Sequence, residues 1–172
     1  MKHIDDDKQM RAALAEAESA LAQGDFPVGC VICLNGEIVA RGRRLHSQQS
    51  KSRPASETDH AEIIALHDLL ANRPEIEPNE VIVYSSMEPC LMCYSTMLVN
   101  GIRHFVYAYE DIMGGGTNLP LEKLNPLYKN MQVSITPGVM RSKSLALFKL
   151  FFKAKPDYLC GTMLAQYTIS QE

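Results

Sequence analysis

No run of about 18 or more consecutive apolar residues occurs in this 172-residue chain, so no membrane-spanning helix is expected. The start, Met1-Lys2-His3-Ile4-Asp5-Asp6-Asp7, lacks the apolar region of a secretory signal peptide, and neither an internal repeat nor a low-complexity segment follows. The cysteines do not form an even set. Five thiols in a chain of this size are unlike the paired framework of a short secreted domain. These absences lead us to expect a soluble, cytoplasmic protein whose reduced thiols are free to bind metal. A large excess of one charge is missing too, and a formal net charge of -3 does not mark a nucleic-acid binder. Gly114-Gly115-Gly116 lacks the following Lys-Ser/Thr of a phosphate-binding loop and reads as a mobile turn.

What is present is enough to bury a sizeable core: 46% of the residues are hydrophobic and 22% charged. One domain over residues 1–172 is expected, with 156–172 as a C-terminal extension able to cover a pocket or a subunit interface, or to dock loosely as a helix. The basic residues are unevenly placed. Arg41, Arg43, Arg44, Lys51 and Arg53 lie in a stretch without acids, as do Arg141, Lys143, Lys149, Lys153 and Lys155. A solvated face and an anion-binding surface are both open readings of these clusters.

Met10, Leu14, Ala17 and Leu21 recur at helical spacing over Asp7 to Gln23, and Gly24 stops the run. Val28 to Leu34 and Glu37 to Gly42 read as strands about an Asn35-Gly36 turn, since both turn residues tolerate positive φ. A polar loop over His46 to Asp59 precedes an amphipathic helix over His60 to Asn72. The spacing then predicts a strand over Val81 to Tyr84, a helix over Cys90 to Asn100 and a strand over His104 to Tyr109. Val133 to Thr136 reads as a last strand and Met140 to Lys155 as a last helix. Strands alternating with helices predict an α/β layered domain with a mixed sheet whose first two strands form an antiparallel hairpin.

His60-Ala61-Glu62 and, 27 positions beyond Glu62, Pro89-Cys90-Leu91-Met92-Cys93 match the H-x-E and P-C-x-x-C signature of zinc deaminases. Cys90 and Cys93, three apart at the start of a predicted helix, share a face, so both sulfurs can meet one ion, and the helix N-terminus favours thiolate. His60 would complete three protein ligands for Zn2+ and leave a fourth position to water, whose pKa zinc lowers toward about 7. Glu62, two residues from His60, is placed to take a proton from that water and pass it to a ring and to departing ammonia. A structural zinc, or plain core packing, is the bland alternative. Cys30-Val31-Ile32-Cys33 has the same spacing but sits on a strand, where residues three apart face opposite sides, so buried cysteines are expected there. Cys160 is expected to be structural, and His67 to be a surface residue or a neighbour of the ligands. His3, His46 and His104 carry no signal.

At these residues the sequence resembles the cytidine deaminase-like superfamily, and within it the bacterial tRNA adenosine deaminase and guanine or cytosine deaminase branch. The resemblance runs from about Asp7 to Lys155 and includes Pro27-Val28-Gly29 and Leu147-Phe148-Lys149-Leu150-Phe151-Phe152. It implies a three-layer αβα sandwich about a five-stranded mixed sheet, zinc on His60, Cys90 and Cys93, Glu62 as proton shuttle, and a homodimer or larger assembly. It also implies that the backbone N–H of Cys90 helps hold the attacked centre and that main-chain groups near Ala61 read the ring, with Val28 a further candidate contact. Where the tRNA and guanine enzymes carry an Asn that contacts the base, this chain has Arg44. An Arg offers donors only, so Arg43 or Arg44 is expected to meet an anionic group on the substrate. Glu110 and Asp111 are candidates for the acidic residue these relatives carry after the fourth strand.

The leading functional expectation is zinc-dependent hydrolytic deamination of a small nucleobase-like substrate, whether base, nucleoside or nucleotide. The alternative is adenosine-to-inosine editing of tRNA, with the basic last helix gripping phosphates. A third class, a non-catalytic zinc-bound interaction module, has no need of Glu62.

Overall fold

Asn35 and Gly36 both take positive φ, 51° and 83°, and fold β1 (Gly29–Leu34) back onto β2 (Glu37–Arg43) in the tight turn that this pair favours. The hairpin runs in register from Leu34 opposite Glu37 to Gly29 opposite Arg43, with one irregularity between Ile32 and Cys33. These coordinates belong to a computed structural model that describes residues 6–47, 54–158 and 161–171. His3, Lys51, Arg53 and Cys160, singled out from the sequence, lie outside the described residues.

The hairpin enters a five-stranded sheet with β3 (Ile82–Met87), β4 (His104–Tyr109) and β5 (Ser134–Thr136), in the order β2-β1-β3-β4-β5. β1 is antiparallel to both neighbours, whereas β3, β4 and β5 run parallel, so the sheet is mixed. Alternation sends Val31, Cys33, Tyr84 and Val106 to one face, packed with α1 (Asp6–Ala22) and part of α5 (Arg141–Ala154). Cys30, Ile32, Val83 and Phe105 face the other way, onto α2 (Ala61–Asn72) and α3 (Leu91–Val99). The result is the expected three-layer αβα sandwich. Cys30 and Cys33 duly lie in different apolar clusters on opposite sides of the sheet. No helix of the described residues is long and apolar enough to cross a membrane.

The structure adds three features to the sequence reading. β3 extends three residues past the β-prone run, to Met87. A short α4 (Pro126–Lys129) precedes β5. The C-terminal extension forms α6 (Met163–Ser170), capped by the Thr162 hydroxyl accepting from Ala165 N–H. α6 buries Leu164, Ala165 and Thr168, and the Thr168 hydroxyl lies 3.0 Å from that of Tyr109.

Close backbone approach positions the start of α2. A Cβ on Gly42 would lie 2.1 Å from the Ala61 carbonyl oxygen and 2.6 Å from Ala65 N, so only a glycine in β2 lets the first turn of α2 sit this low on the sheet. That turn carries His60 and Glu62.

Candidate active site

Two helix starts meet at the C-terminal end of β3. His60 precedes α2 and Cys90 precedes α3, both with extended backbone (φ -72°, ψ 148° and φ -66°, ψ 168°), and Cys93 lies one turn into α3. The Nδ1 atom of His60 stands 3.5 Å from Cys90 Sγ and 3.4 Å from Cys93 Sγ. A tetrahedral zinc, with nitrogen at about 2.0–2.1 Å and sulfur at about 2.3 Å, would space such ligands about 3.6 Å apart. One nitrogen and two sulfurs at these separations therefore fit a metal ion, and they form the one such group of three among the described residues.

The charges are tuned accordingly. A hydrogen bond from the Cys93 thiol, opposed by burial and reinforced by His60, brings the Cys90 thiol down to about 4. The same bond, with burial and the charge of Glu62, pushes Cys93 up. A thiolate is thus present at neutral pH. Burial alone would lower His60, but its hydrogen bond to Cys90 and the charge of Glu62 outweigh it and raise the imidazole above its ordinary value. Glu62 is 3% exposed, and burial first, then the Cys90 charge, raises its carboxyl. Its Oε1 accepts from the Ser85 hydroxyl at 2.9 Å and its Oε2 lies 3.6 Å from Cys93 Sγ.

Beside these groups lies a cavity of about 200 Å³. Val28, Phe26, Met87 and Leu164 supply apolar wall, while Ala61, Glu62, Cys90 and Arg44 border it with polar or main-chain groups. Tyr158 and Leu164, both from the C-terminal extension, also line it.

The profile of the cytidine and deoxycytidylate deaminase zinc-binding region matches residues 3–109. The chain belongs to this family. The tRNA-specific adenosine deaminase of Haemophilus influenzae is 30% identical over 153 residues, 88% of this chain and 86% of that protein. That of Streptococcus pyogenes serotype M18 is 28% identical over 144 residues, 84% and 87% of the two chains. Among solved structures, a tRNA:A34 deaminase matches with a TM-score of 0.66 at 25% identity, covering 81% of this chain and 98% of that one. The guanine deaminase of Nitrosomonas europaea matches with a TM-score of 0.62 at 18% identity, covering 84% and 83%, and shares the fold. The protein is thus a hydrolytic deaminase.

The deaminase separates residues that the sequence left together. Arg44, not Arg43, borders the cavity. Arg44 is 4% exposed and its Nη2 donates to the Ser56 carbonyl at 2.8 Å and to Glu57 at 3.3 Å. Its Nη1 is buried and has no partner among the described residues. Such an unsatisfied buried donor costs about 1–3 kcal/mol. Arg43 turns to the opposite side, as alternation along a strand requires, and with Arg41 pairs Glu16 of α1. Asp111 borders the cavity, whereas Glu110 is tied to Arg141. His67 and His104 are exposed. His46, with φ 52°, sets Nδ1 2.6 Å from Asp59.

The Gly114-Gly116 turn is packed rather than loose. Leu91 N–H donates to the Gly114 carbonyl at 3.3 Å, and Gly116 N–H to that of Pro89 at 3.0 Å. Added Cβ atoms on Gly115 and Gly116 would lie 2.5 Å from the Glu88 carboxyl and 2.6 Å from Leu91 Cα. Glu88 accepts from Thr117 Oγ1 at 2.5 Å and from Asp111 N–H at 3.1 Å, closing this loop behind Cys90. Ser85, Met87 and Leu164 escaped sequence reading, whereas Tyr158 lies in the C-terminal extension offered as a cover for a pocket or an interface. Only Ser85 carried a signal, as one of two adjacent serines in an otherwise mostly apolar strand.

Proposed function

We propose that this deaminase acts on a free, amino-bearing single heterocycle, with zinc on His60, Cys90 and Cys93 and with Glu62 moving the protons. The observation that carries the free-ring reading is the small, partly open cavity of about 200 Å³ that Tyr158 and Leu164 help to line. That is smaller than the roughly 300–1,000 Å³ of pockets built for drug-sized ligands, and it suits one ring better than a nucleotide within a polymer.

When bound, zinc supplies the Lewis acidity that makes water nucleophilic near neutral pH. The chain's own residues do the rest. The Glu62 carboxylate, held by Ser85, takes a proton from the attacking water and gives it to a ring nitrogen. The water oxygen bonds to the amino-bearing carbon, with the Cys90 N–H steadying that centre. Glu62 then carries the second proton to the amino group, the C–N bond breaks and ammonia leaves, so that water plus amino ring become oxo ring plus ammonia. Burial of Glu62 keeps bulk solvent from exchanging with the shuttled proton.

The curated relatives favour a second reading, wobble-adenosine deamination in tRNA. Against it, Arg141 and Lys149 of α5 and Lys155 just after it are engaged within the chain, leaving Lys143 and Lys153 exposed. Arg141 pairs Glu110, Lys149 donates to the Gln171 carbonyl and Lys155 to that of Gly24. The proposal includes a homodimer in the cytoplasm. Leu91 and Val99 are 52% and 53% exposed on α3, beside the exposed Ile112 and Met113, an apolar surface suited to a second copy.

Ammonia release from the zinc-loaded protein, beside a Glu62→Ala control, tests the proposal on a panel of amino-bearing bases, nucleosides, nucleotides and tRNA. Release from free rings, lost in the control, is expected. Release from tRNA alone, with the steep salt dependence of phosphate contacts, would overturn it.

A further inference from the structure

We infer that Ser86 is a positioning residue for the substrate ring: through Gly29 it sets where the apolar wall of Phe26 and Val28 stands relative to Glu62, although Ser86 does not itself line the cavity. The inference needs the cavity described above and holds whether the ring arrives free or within a polymer. The β1–β3 ladder ends with Cys30 opposite Ser85. One residue further, where the two strands part, the Gly29 N–H donates not to a backbone carbonyl but to the Ser86 hydroxyl oxygen, at 2.9 Å in a buried setting. Ser86 is 0% exposed, and its own carbonyl accepts from the Ser144 hydroxyl of α5 at 2.6 Å. The serine is thus fixed from α5 and in turn fixes the end of β1.

Gly29 is confined by two further elements. A Cβ on it would lie 2.2 Å from the Ala13 carbonyl oxygen and 2.4 Å from Ala17 N, so its backbone rests directly on α1. From the end of β2, Arg44 N–H donates to the Val28 carbonyl at 2.8 Å. The path of the chain at Gly29 therefore decides where Val28 and Phe26 stand as they line the cavity. Three consecutive residues of β3 serve three parts of the site: Ser85 the Glu62 carboxylate, Ser86 the Val28 wall, and Met87 the apolar lining itself.

The two serines have different kinetic signatures. Glu62 moves protons only as the reaction proceeds, so what Ser85 does appears in kcat. An apolar wall meets the ring alike before and during the reaction, so what Ser86 does appears in KM.

The test is steady-state kinetics in Ser86→Ala, Val28→Ala and the double variant, on whichever of guanine, cytosine, adenosine and tRNA the wild type turns over fastest. Ser86→Ala is expected to raise KM by about 10-fold or more, the scale of one methylene of pocket contact, with kcat within about 3-fold of the wild type. In the Val28→Ala background the same change is expected to add less than about 3-fold to KM, because the contact that Ser86 positions is already gone. Ser86→Cys keeps the volume but is a weaker acceptor; it is expected to move KM the same way and serves if the alanine variant does not fold. A crystal structure of either variant, which needs no substrate, is expected to show Val28 displaced by about 1 Å relative to Glu62, the scale of misplacement that reaches catalysis. An unchanged KM, a loss carried by kcat alone, full additivity with Val28→Ala, or Val28 left in place would overturn the inference.

Discussion

The hydroxyl of Ser85, at the C-terminal end of β3, donates to Oε1 of Glu62 at 2.9 Å, with Ser85 0% and Glu62 3% exposed. A carboxylate that swings between water and ring needs one oxygen anchored while the other works. Ser85→Ala is expected to lower kcat by about 10- to 100-fold, a part of the 10²–10⁴-fold that a positioned proton carrier contributes, with zinc content unchanged. Steady-state kinetics beside metal analysis checks both halves.

Leu164 is 2% exposed, lines the cavity and reaches it from α6. Leu164→Ala is expected to cost about 2–4 kcal/mol in urea unfolding and to enlarge the site, so that rings with an added substituent gain in kcat/KM relative to the parent ring. A variant less stable but unchanged in ring preference would show that α6 only braces the fold.

The two Cys-x-x-Cys pairs are expected to behave differently. Cys93→Ser abolishes stoichiometric zinc, because its sulfur lies 3.4 Å from His60 Nδ1. Cys30→Ser and Cys33→Ser leave zinc content as it was, since their side chains belong to clusters on opposite faces of the sheet. Metal analysis of the purified variants reads this directly.

Glu110 is held down to about 2, from an ordinary value of 4.5, first by its hydrogen bond from Arg141 and then by that from Tyr167. A carboxyl depressed on folding contributes stability that is complete above pH 4.5 and is lost as pH falls through about 2. Urea midpoints followed from pH 6 to pH 2.5 are expected to fall less steeply in Glu110→Gln than in the wild type.

Gly42→Ala places a Cβ 2.1 Å from the Ala61 carbonyl. Overpacking against backbone is expected to cost at least about 2–3 kcal/mol and to weaken zinc retention, as the start of α2 lifts from the sheet. Thermal melts and metal content report the two effects separately.

The grouping of His60, Cys90 and Cys93 was legible because it is local: a three-residue spacing on a helix, a histidine and an acid at the start of another, and a strand that pulls Cys30 and Cys33 apart. The Asn35-Gly36 hairpin was legible for the same reason. The partners of Glu62 and Arg44 were not. Ser85 reaches Glu62 across 23 positions, and Tyr158 and Leu164 line a cavity beside His60 and Cys90, far earlier in the chain; no periodicity within one element encodes such contacts. The choice of Arg44 over Arg43 depended on which side of the sheet the end of β2 presents, and a slip of one residue would have reversed it.

The lining by Tyr158 and Leu164 divides the labour of the chain on the reading proposed above. There, ammonia release belongs to the stretch from His60 to Cys93, while the last fifteen residues shape the space left for the ring. On that reading a lineage can trade one ring for another by revising its C-terminus, with the hydrolytic machinery inherited intact.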